Sequence, residues 1–562
     1  MRFRASCTAP LPWSTVVGTY DRPRAASLDV RLVPVVTSWP SGASRPAGRT
    51  AKSDRGGLVV WPKTRPAAGR SVRRASDAGA RDVADVPDRT GLLIDGRWEL
   101  RDAQLPVLDV WDGQVVSQQA AATTEDVDRA VAVARSRLAT PLPLAERAAV
   151  LERTAALVRR DREHLAHLIA REAAKPIRAA RVEVDRCAET FAFAAAEART
   201  LHDETLPMDA HPAGVGATGW VRREPVGVVA AITPFNFPLN LVAHKLAPAI
   251  AAGCPVVCKP AERTPMSAVA LAERLVEAGL PDGWLALLTG EGPVVGAALA
   301  AHPDVAALSF TGSVHVGWDL AASASHARVL LELGSAAPLV VEADAGDQLA
   351  AIVGKVVAGG FGHAGQSCVS VQRVLVHEDL VDDLVAQLVP AVTALQVGPP
   401  LEETSDVSCV IDGAAGERIR GWVAEAAATG AQVLAGGDGH GAVVTPAVVR
   451  DVPLDARLWT EEVFGPVVVV RTFVDTDDAL RQVAAGPDLI HLGVFTADLD
   501  RALRYVEEVR AGGVLVNESP TFRVDHAPYG GVGRAGSARE GPRAAVRELT
   551  SEKVVVLRRP AR

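Results

Sequence analysis

The sequence has few aromatic residues and no apolar run long enough to cross a membrane. Phe, Trp and Tyr make up 4% of the 562 residues, and only three of them are tyrosines. Every apolar stretch is shorter than the roughly 18 to 20 residues of a spanning helix. The N-terminal stretch LPWSTVVG is too short and too interrupted for a signal peptide. We therefore expect a cytoplasmic protein that has no membrane partner.

Cysteine is also scarce. The six cysteines form no CxxC pair and have no histidine nearby at the spacing of a zinc finger. We expect no metal site, and the scattered thiols indicate a reducing compartment.

Charge is spread unevenly along the chain. The net charge is −8, although residues 1–88 hold 15 Lys and Arg against 7 Asp, so the remainder carries about −16. A body this acidic does not favour binding to nucleic acid or to anionic membrane surfaces.

Residues 1–88 differ from the rest in composition. They are rich in Arg, Pro, Ser and Gly, as in WPSGASRPAGRTAKSDRGG, and show no sustained periodicity. Such a segment buries too little apolar surface to offset its ordering entropy. We predict a disordered basic extension. A targeting segment is one alternative, and a start assigned too far upstream, with the start at Val83 or Val86, is another.

From residue 89 onward, short apolar strands alternate with helices. Residues 123–139, TTEDVDRAVAVARSRLA, begin with Thr123 as a helix cap and continue with apolar residues at helical spacing. GVVAAIT, PVVCKP, VAALSFTG and VLLELG are apolar runs of strand length. This order predicts an α/β fold with a parallel sheet covered on both faces, the architecture of dinucleotide-binding domains.

Two loops at predicted strand ends suit a nucleotide. TGSVHVG places Gly312, Ser313 and Gly317 at a strand-to-helix turn, where glycines let the backbone approach a pyrophosphate. CKPAERTP places Lys259 and Glu262 after another strand, where a ribose needs an acceptor carboxylate. Each loop taken alone also fits a purely structural turn.

Seven separated motifs resemble those of the aldehyde dehydrogenase superfamily and occur in that family's order. They are ITPFNFP (232–238), VCKPAERTP (257–265), FTGSVHVG (310–317), LELG (331–334), GQSC (365–368), EEVFGP (461–466) and PYGG (528–531). The resemblance spans about residues 89–562 and implies NAD(P)-dependent oxidation of an aldehyde to a carboxylate.

The resemblance also implies roles for three residues. Cys368 in GQSC corresponds to the nucleophile that forms a thiohemiacetal and then a thioester. Asn236 corresponds to the amide that stabilises the oxyanion. Glu332 in LELG corresponds to the general base that activates water, and a salt-bridged strand edge is its structural alternative.

The cofactor residues follow in the same way. Lys259 and Glu262 resemble the pair that binds the adenosine ribose, and the turn around Gly312 and Ser313 would face the pyrophosphate. Glu262 would repel a 2′-phosphate, so NAD is favoured and NADP is possible.

The nicotinamide end is implied by EEVFGP. Glu462 resembles the glutamate that holds the nicotinamide ribose, and Phe464 packs beside the ring.

The substrate is expected to be a small polar or anionic aldehyde. EVDRCAETFAFAAAEA, SVQR and NESPTFRVDHAPYGG look most like the branch that acts on lactaldehyde, sulfolactaldehyde or phosphonoacetaldehyde. Arg523 would meet the anionic group, or else serve a subunit contact. Lys245, placed two turns after Asn236 on the same helix, joins a proton path from Glu332 or is structural.

Domain organisation follows the resemblance. Residues 89–204 and 225–333 would form the NAD(P)-binding domain, and residues 334–546 the catalytic domain. Residues 205–224 and 547–562 would form a small β arm for oligomerisation, whose edge implies a homodimer or homotetramer.

Five positions depart from the family's usual pattern, namely Ser335, Ala336, His363, Gly533 and Ala538. Two alternatives remain within the fold, an enzyme that transfers the acyl group to coenzyme A and a catalytically silent binding protein. The retained Glu332 argues against the first, and the intact catalytic set argues against the second. A cysteine hydrolase, suggested by GQSC alone, would leave the dinucleotide-type sheet without a purpose.

Overall fold

The structure is a computed structural model that describes residues 86–559. The predicted basic extension, residues 1–88, therefore lies almost entirely outside the described residues. The strands are β1 (Arg89–Thr90), β2 (Leu92–Ile94), β3 (Arg97–Glu99), β4 (Gln104–Leu108), β5 (Val115–Ala120), β6 (Glu204–Leu206), β7 (Ala217–Pro225), β8 (Val228–Ile232), β9 (Val256–Lys259), β10 (Leu285–Leu287), β11 (Val305–Thr311), β12 (Arg328–Glu332), β13 (Ala337–Val341), β14 (Val371–His377), β15 (Gln432–Ala435), β16 (Gly439–His440), β17 (Val443–Val444), β18 (Ala447–Arg450), β19 (Val467–Phe473), β20 (Leu489–Phe495), β21 (Ala511–Val516) and β22 (Thr550–Arg558).

The α-helices lie between these strands in the order that the sequence predicts. They are α1 (Thr124–Arg137), α2 (Leu144–Arg160), α3 (Arg162–Ala173), α4 (Ile177–Thr200), α5 (Asn240–Ala252), α6 (Met266–Glu277), α7 (Ala297–Ala301), α8 (Val314–Ser323), α9 (Leu349–Phe361), α10 (Val381–Thr393), α11 (Gly413–Ala428), α12 (Arg457–Thr460), α13 (Thr476–Ala484), α14 (Leu499–Glu508) and α15 (Pro542–Glu548).

The first large sheet contains the predicted parallel core. Its strand order is β12-β11-β8-β9-β10-β2-β3. The strands from β12 to β10 are parallel, and β2 and β3 extend the sheet in antiparallel pairing. Every residue of β8 and β9 is buried, as expected for strands covered on both faces. The predicted α/β architecture with a Rossmann-type parallel sheet is confirmed.

The register of this sheet brings four strand ends to one edge. Ile232 at the end of β8 lies beside Lys259 at the end of β9. Thr311 at the end of β11 lies beside Glu332 at the end of β12, and β8 and β11 are neighbours. The loops that follow these strands therefore open on the same side of the sheet, where ligands bind in open α/β sheets.

A second seven-stranded sheet has the order β15-β18-β19-β14-β13-β20-β21. Its strands are parallel except for β15. Cys368 lies just before β14 and Glu462 lies shortly before β19, so both precede the amino ends of neighbouring strands. The segment after β21 crosses to the first sheet, where Gly536 forms an isolated bridge with Glu332.

Three smaller sheets occur among the described residues, and one of them is the two-stranded pair β16-β17. Another has the order β1-β5-β4, and the third has the order β22-β7-β6. Strand β22 pairs with β7 in antiparallel register from Thr550 opposite Pro225 to Arg558 opposite Ala217. The two segments predicted as an arm thus form one sheet.

Two helix starts test the sequence predictions. The predicted cap of α1 is confirmed, since the Asp126 N–H donates to Thr123 Oγ1 at 3.3 Å in a capping box. The prediction that Asn236 and Lys245 share a helix is wrong. Helix α5 begins at Asn240, and Asn236 lies in the preceding loop, because Pro238 disfavours helical geometry at the residue before it.

Candidate active site

The loop that carries Cys368 has a left-handed backbone. His363, Ala364 and Gly365 have φ values of 50°, 53° and 70°. Such values are uncommon outside glycine, although Asn and His are enriched there. The departure at His363 therefore keeps a residue type that this backbone accepts. A side chain at Gly365 would clash, since its Cβ would lie 2.0 Å from the Gly465 carbonyl oxygen.

Cys368 is half-buried and contacts a tyrosine. Its Sγ lies 2.7 Å from Tyr529 Oη, a hydrogen bond in which either atom can donate. Burial raises the pKa of the Cys368 thiol to about 12, and the hydrogen bond to Tyr529 opposes that rise. Another neighbour is Ser335, whose Oγ donates to the Cys368 carbonyl at 3.0 Å, so one departure position fastens the cysteine loop.

Asn236 meets the same loop from the first sheet. Its Nδ2 donates to the Gln366 carbonyl at 2.8 Å, and an amide nitrogen carries a second N–H. The Oδ1 atom is buried and has no hydrogen-bond partner within residues 86–559. The Gln366 side chain in turn accepts from the Ile411 N–H at 2.9 Å. The amide of Asn236 is thus fixed to the backbone of Gln366, which lies two residues before Cys368 in the sequence.

Glu332 at the end of β12 is a buried carboxyl group. It is 4% exposed, and neither carboxylate oxygen has a hydrogen-bond partner among the described residues. Burial, together with the nearby charge of Glu540, raises its pKa well above the usual range. Gly530 lies against it, since a Cβ there would be 2.7 Å from Glu332 Oε1. Glycine at this position therefore leaves room for the carboxylate.

A small cavity of about 20 Å³ adjoins Glu332. Lys245, Ser309 and Glu540 also line it. Lys245 Nζ donates to Ser309 Oγ at 3.1 Å and lies 3.6 Å from Glu540 Oε1. A cavity needs roughly 10 to 15 Å³ to hold one water, so a water with several polar neighbours fits beside the carboxylate.

Arg523 is more buried than expected for a residue of a loop at the substrate entrance. Its side chain is 10% exposed, and Nη2 donates to Glu540 Oε2 at 3.0 Å. The guanidinium lies 3.8 Å above the centre of the Tyr529 ring, a cation–π contact. The Arg523 Nε is buried and lacks a hydrogen-bond partner in the described part of the chain. One donor of this arginine thus remains available.

The predicted nicotinamide-side residues surround Gly334. Glu462 Oε1 accepts from the Ser335 N–H at 3.2 Å, and burial raises the pKa of Glu462 to about 8. A Cβ at Gly334 would lie 1.9 Å from Glu462 Oε2, so only glycine admits the carboxylate in this place. Phe464, with φ of 46°, packs edge-to-face on Phe235 at 5.8 Å between ring centres.

The predicted adenosine-side residues form a pair. Lys259 Nζ lies 2.9 Å from Glu262 Oε2, with the lysine side chain 3% exposed and the glutamate 46% exposed. Lys259 lowers the pKa of the Glu262 carboxyl by its charge and hydrogen bond, against the effect of burial. The carboxylate therefore stays ionised and reachable from solvent.

The glycine turn differs slightly from its prediction. Gly312 donates its N–H to the Glu332 carbonyl at 3.2 Å, which ties the turn to the end of β12. Ser313 precedes α8 and makes no side-chain cap. Gly317 lies within the first turn of α8 rather than in the loop, where a Cβ would be 2.4 Å from Leu333.

A buried ion pair supports the Asn236 loop. Lys175 and Glu183 are both 1% exposed and in contact. Lys175 Nζ donates to the Asn236 carbonyl at 2.7 Å. Glu183 Oε1 accepts from the N–H groups of Leu239 and Asn240 at 2.9 and 3.1 Å, at the start of α5. The pair fixes both ends of the loop that presents Asn236.

Sequence reasoning left three contributors without a role. Tyr529 stands in the PYGG motif and is one of only three tyrosines, so its scarcity was a signal in the sequence. Glu540 gave a weaker signal, as part of the late Arg-Glu pair. Gln366 stands within the GQSC motif itself. Nothing in the sequence indicated the Lys175–Glu183 pair.

Residues 86–559 contain no group of three or more His, Cys, Asp or Glu side chains placed to hold a metal ion. No helix there has both the length and the apolar character needed to cross a bilayer.

The chain is similar to known proteins in both sequence and fold. Residues 98–555 match the profile of the Aldehyde dehydrogenase family. The chain is 39% identical to 3-sulfolactaldehyde dehydrogenase of Priestia aryabhattai over 83% of this chain and 98% of that protein. It is 34% identical to lactaldehyde dehydrogenase of Methanococcus aeolicus over 83% of this chain and 99% of that protein.

A solved structure extends the comparison to the fold. Aldehyde dehydrogenase 21 from Physcomitrella patens, in complex with the reaction product succinate, superposes with a TM-score of 0.81. It is 37% identical to the chain, covering 84% of this chain and 98% of that one. The chain belongs to the aldehyde dehydrogenase family. It is an oxidoreductase that acts on aldehydes with NAD(P) as its cofactor.

Proposed function

We propose that the chain oxidises a small polar or anionic aldehyde to its carboxylate through a thioester on Cys368. The observation that carries this proposal is a chain of contacts around Cys368: its loop contacts Asn236, its sulfur contacts Tyr529, and Gly530, the residue after Tyr529, lies against Glu332. The Asn236 amide bonds the cysteine loop, and the Glu332 carboxylate is buried with both oxygens free of partners in the described chain.

The residues present fit a nicotinamide cofactor. Lys259 and Glu262 would hold the adenosine ribose, and Gly312 and Ser313 would face the pyrophosphate. The fit is supported by the ionised, half-exposed Glu262 carboxylate, which favours a free 2′-hydroxyl and hence NAD over NADP.

The residues at the nicotinamide end of the proposed cofactor site also fit this group. Glu462 is held by the Ser335 N–H at Oε1 and by Gly334 beside Oε2; this carboxyl group would bind a ribose hydroxyl, and Phe464 would pack beside the ring. When bound, the nicotinamide supplies the hydride acceptor.

Each protein group has one task in the proposed chemistry. The Cys368 thiolate attacks the aldehyde carbon, and the carbonyl electron pair moves to oxygen. The Asn236 N–H then stabilises that oxyanion, an interaction worth roughly 2.7 to 4 kcal/mol in comparable sites. Glu332 takes a proton from water for hydrolysis of the thioester, and the burial that raises its pKa makes its ionised form a stronger base than an exposed carboxylate.

Arg523 is the proposed anion-binding residue. Its Nε is a buried donor without a partner in the described chain, and a carboxylate or sulfonate would satisfy it. The relatives act on lactaldehyde and 3-sulfolactaldehyde by name, and one neighbour holds succinate. These names fit an anionic or hydroxylated substrate for this chain as well.

The test is NAD(P) reduction at 340 nm with lactaldehyde, 3-sulfolactaldehyde and the uncharged propanal. We expect Cys368→Ala to abolish reduction with every aldehyde. Arg523→Met should raise KM for sulfolactaldehyde at least about tenfold more than KM for propanal, the loss of roughly one charge-assisted bond; any effect through Cys368 should be shared by both aldehydes. Arg534, exposed in the same loop, provides the matched Arg534→Met control.

The outcomes separate the alternatives. Equal loss on charged and uncharged aldehydes would reject Arg523 as the anion-binding residue. Reduction that requires added coenzyme A would favour acyl transfer over hydrolysis. No reduction by a folded protein would reject the proposed function in favour of a silent binding protein.

Assembly and location are proposed on separate grounds. We infer a homodimer or homotetramer, because strand β22 exposes Val554, Val556 and Leu557 at 61%, 48% and 59%, and a partner subunit would cover this apolar strand. Light scattering measures the mass. The five described cysteines are free thiols, which suits the reducing cytoplasm.

The domain division remains part of this proposal. The strands of the first large sheet fall within residues 89–333, and those of the second fall within residues 334–546. These positions support a cofactor domain in 89–204 and 225–333 and a catalytic domain in 334–546, with 205–224 and 547–562 as the arm.

A further inference from the structure

The hydroxyl of Tyr529 has an unusual position. It lies 2.7 Å from Cys368 Sγ, although 161 residues separate the two in the chain. Tyr529 is 4% exposed. Within residues 86–559, its Oη has Cys368 Sγ as hydrogen-bond partner. A buried tyrosine hydroxyl ordinarily has a partner, and here that partner is the sulfur proposed as nucleophile.

The ring of Tyr529 is held on all sides. Its backbone exchanges two hydrogen bonds with Glu540, at 3.1 and 2.7 Å. Arg523 covers one face at 3.8 Å, and the His491 ring meets it edge-to-face at 5.1 Å between centres. The side chain is therefore already fixed in the rotamer that directs its hydroxyl at Cys368, so little conformational entropy is lost when the hydrogen bond forms.

The sulfur needs such a donor. Thiolate is the reactive form, and burial away from a cation disfavours it. For Cys368, burial raises the pKa of the thiol to about 12. The hydrogen bond from Tyr529 is the largest influence that lowers this pKa, followed by the charge of Arg523, whereas Glu462 and Glu540 raise it. Arg523 stacked on the ring thus acts in the same direction as the hydroxyl.

We propose that Tyr529 is a further catalytic residue, whose hydroxyl donates a hydrogen bond to the Cys368 thiolate and so increases the fraction of the sulfur that is ionised for attack. The thiol proton leaves to water, and Tyr529 retains its own proton throughout. As the sulfur–carbon bond forms, the carbonyl π pair moves to oxygen and the sulfur loses its negative charge. The hydrogen bond from Tyr529 weakens at that point, so it stabilises the nucleophile without trapping the adduct.

The inference rests on the proposed role of Cys368, and its test does not need turnover. The measurement is the rate at which iodoacetamide alkylates Cys368 in the full-length protein at pH 8, with Cys368→Ala as the baseline. A hydrogen bond to an ionised group typically changes the thiolate fraction about 10- to 100-fold. The higher nucleophilicity of a more basic thiolate offsets part of this loss. We therefore expect Tyr529→Phe to slow alkylation about 3- to 10-fold.

Tyr505 provides the matched control. It is a buried tyrosine of the same domain, and its hydroxyl donates to Glu342 at 2.7 Å, away from Cys368. Tyr505→Phe should leave the alkylation rate unchanged. If Tyr529→Phe does not fold by circular dichroism, Tyr529→Met, which also lacks the hydroxyl and fills irregular space, replaces it.

Alkylation of the Tyr529 variant at or above the wild-type rate would overturn the inference and leave the proposed function intact. Aldehyde oxidation by the wild type is measured in parallel. Slower alkylation in the variant, combined with no oxidation of any aldehyde by the wild type, would support the role of Tyr529 and reject the proposed function.

Discussion

The buried pair of Lys175 and Glu183 allows a quantitative test of how the Asn236 loop is held. Breaking a buried ion pair by removing one partner costs about 3 to 5 kcal/mol, because the other charge is left buried. Glu183→Met leaves Lys175 with one carbonyl acceptor and removes the acceptor of two N–H groups at the start of α5. We therefore expect its cost near 5 kcal/mol.

Lys175→Met should cost less, near 3 kcal/mol, because Glu183 still accepts those two backbone hydrogen bonds. The double variant carries no buried charge at this place. Its cost should fall below the sum of the two single costs by more than about 1 kcal/mol.

The assay is the urea midpoint of unfolding at a common slope. Arg159→Met is the matched control, because Arg159 and Glu189 form an exposed pair, with side chains 49% and 53% exposed, and exposed pairs contribute little. Additive costs in the double variant, or single costs no larger than that of the control, would refute the reasoning. The single variants should also lower kcat, since both displace the loop that presents Asn236.

The remaining predictions concern Glu332 and Gly334. Glu332→Gln should release about one reduced cofactor per site in a rapid burst and then turn over at least about 100-fold more slowly, measured by stopped-flow absorbance at 340 nm; a wild-type steady rate would contradict the general-base role. The same carboxyl group has a raised pKa, so the wild-type hydrolytic rate should fall as pH is lowered through that raised pKa. The pKa of Glu332 is higher in the folded than in the unfolded protein, so this group favours the folded state at low pH and that contribution is lost as pH rises. Melting temperatures measured across the pH range should therefore fall less with rising pH in Glu332→Gln than in the wild type. Gly334→Ala places a Cβ 1.9 Å from Glu462 Oε2 and should weaken cofactor binding at least about tenfold, a loss of about 1.4 kcal/mol, by fluorescence titration, whereas Gly354→Ala, with nothing within 4 Å of its Cβ, should not.

The edge of the first sheet at which the parallel strands end was predictable from the sequence. Apolar runs of strand length end just before Lys259 and Gly312 and at Glu332, and parallel strands bring such ends together. The motif resemblance then indicated Cys368 and Asn236. The start of α5 was misjudged, although Pro238 carried the signal that a helix begins only after it.

Contacts between distant segments were not predictable in this way. Cys368 and Tyr529 meet only because the segment after β21 returns to the first sheet through the Glu332–Gly536 bridge. Lys175 and Glu183 are eight residues apart, across the break at Pro176 that precedes α4. Neither local periodicity nor composition encodes such meetings, since both depend on how complete elements pack.

The buried polar atoms that lack hydrogen-bond partners connect the stability of the site to its chemistry. Native proteins leave few buried polar atoms without partners, and each one costs about 1 to 3 kcal/mol. Glu332 Oε1 and Oε2, Asn236 Oδ1 and Arg523 Nε are four such atoms within residues 86–559, and all belong to side chains around Cys368. Their partners would be the water and the anionic group of the substrate in the proposed reaction. The fold thus holds its donors and acceptors in place before substrate arrives, so that little reorganisation accompanies the reaction.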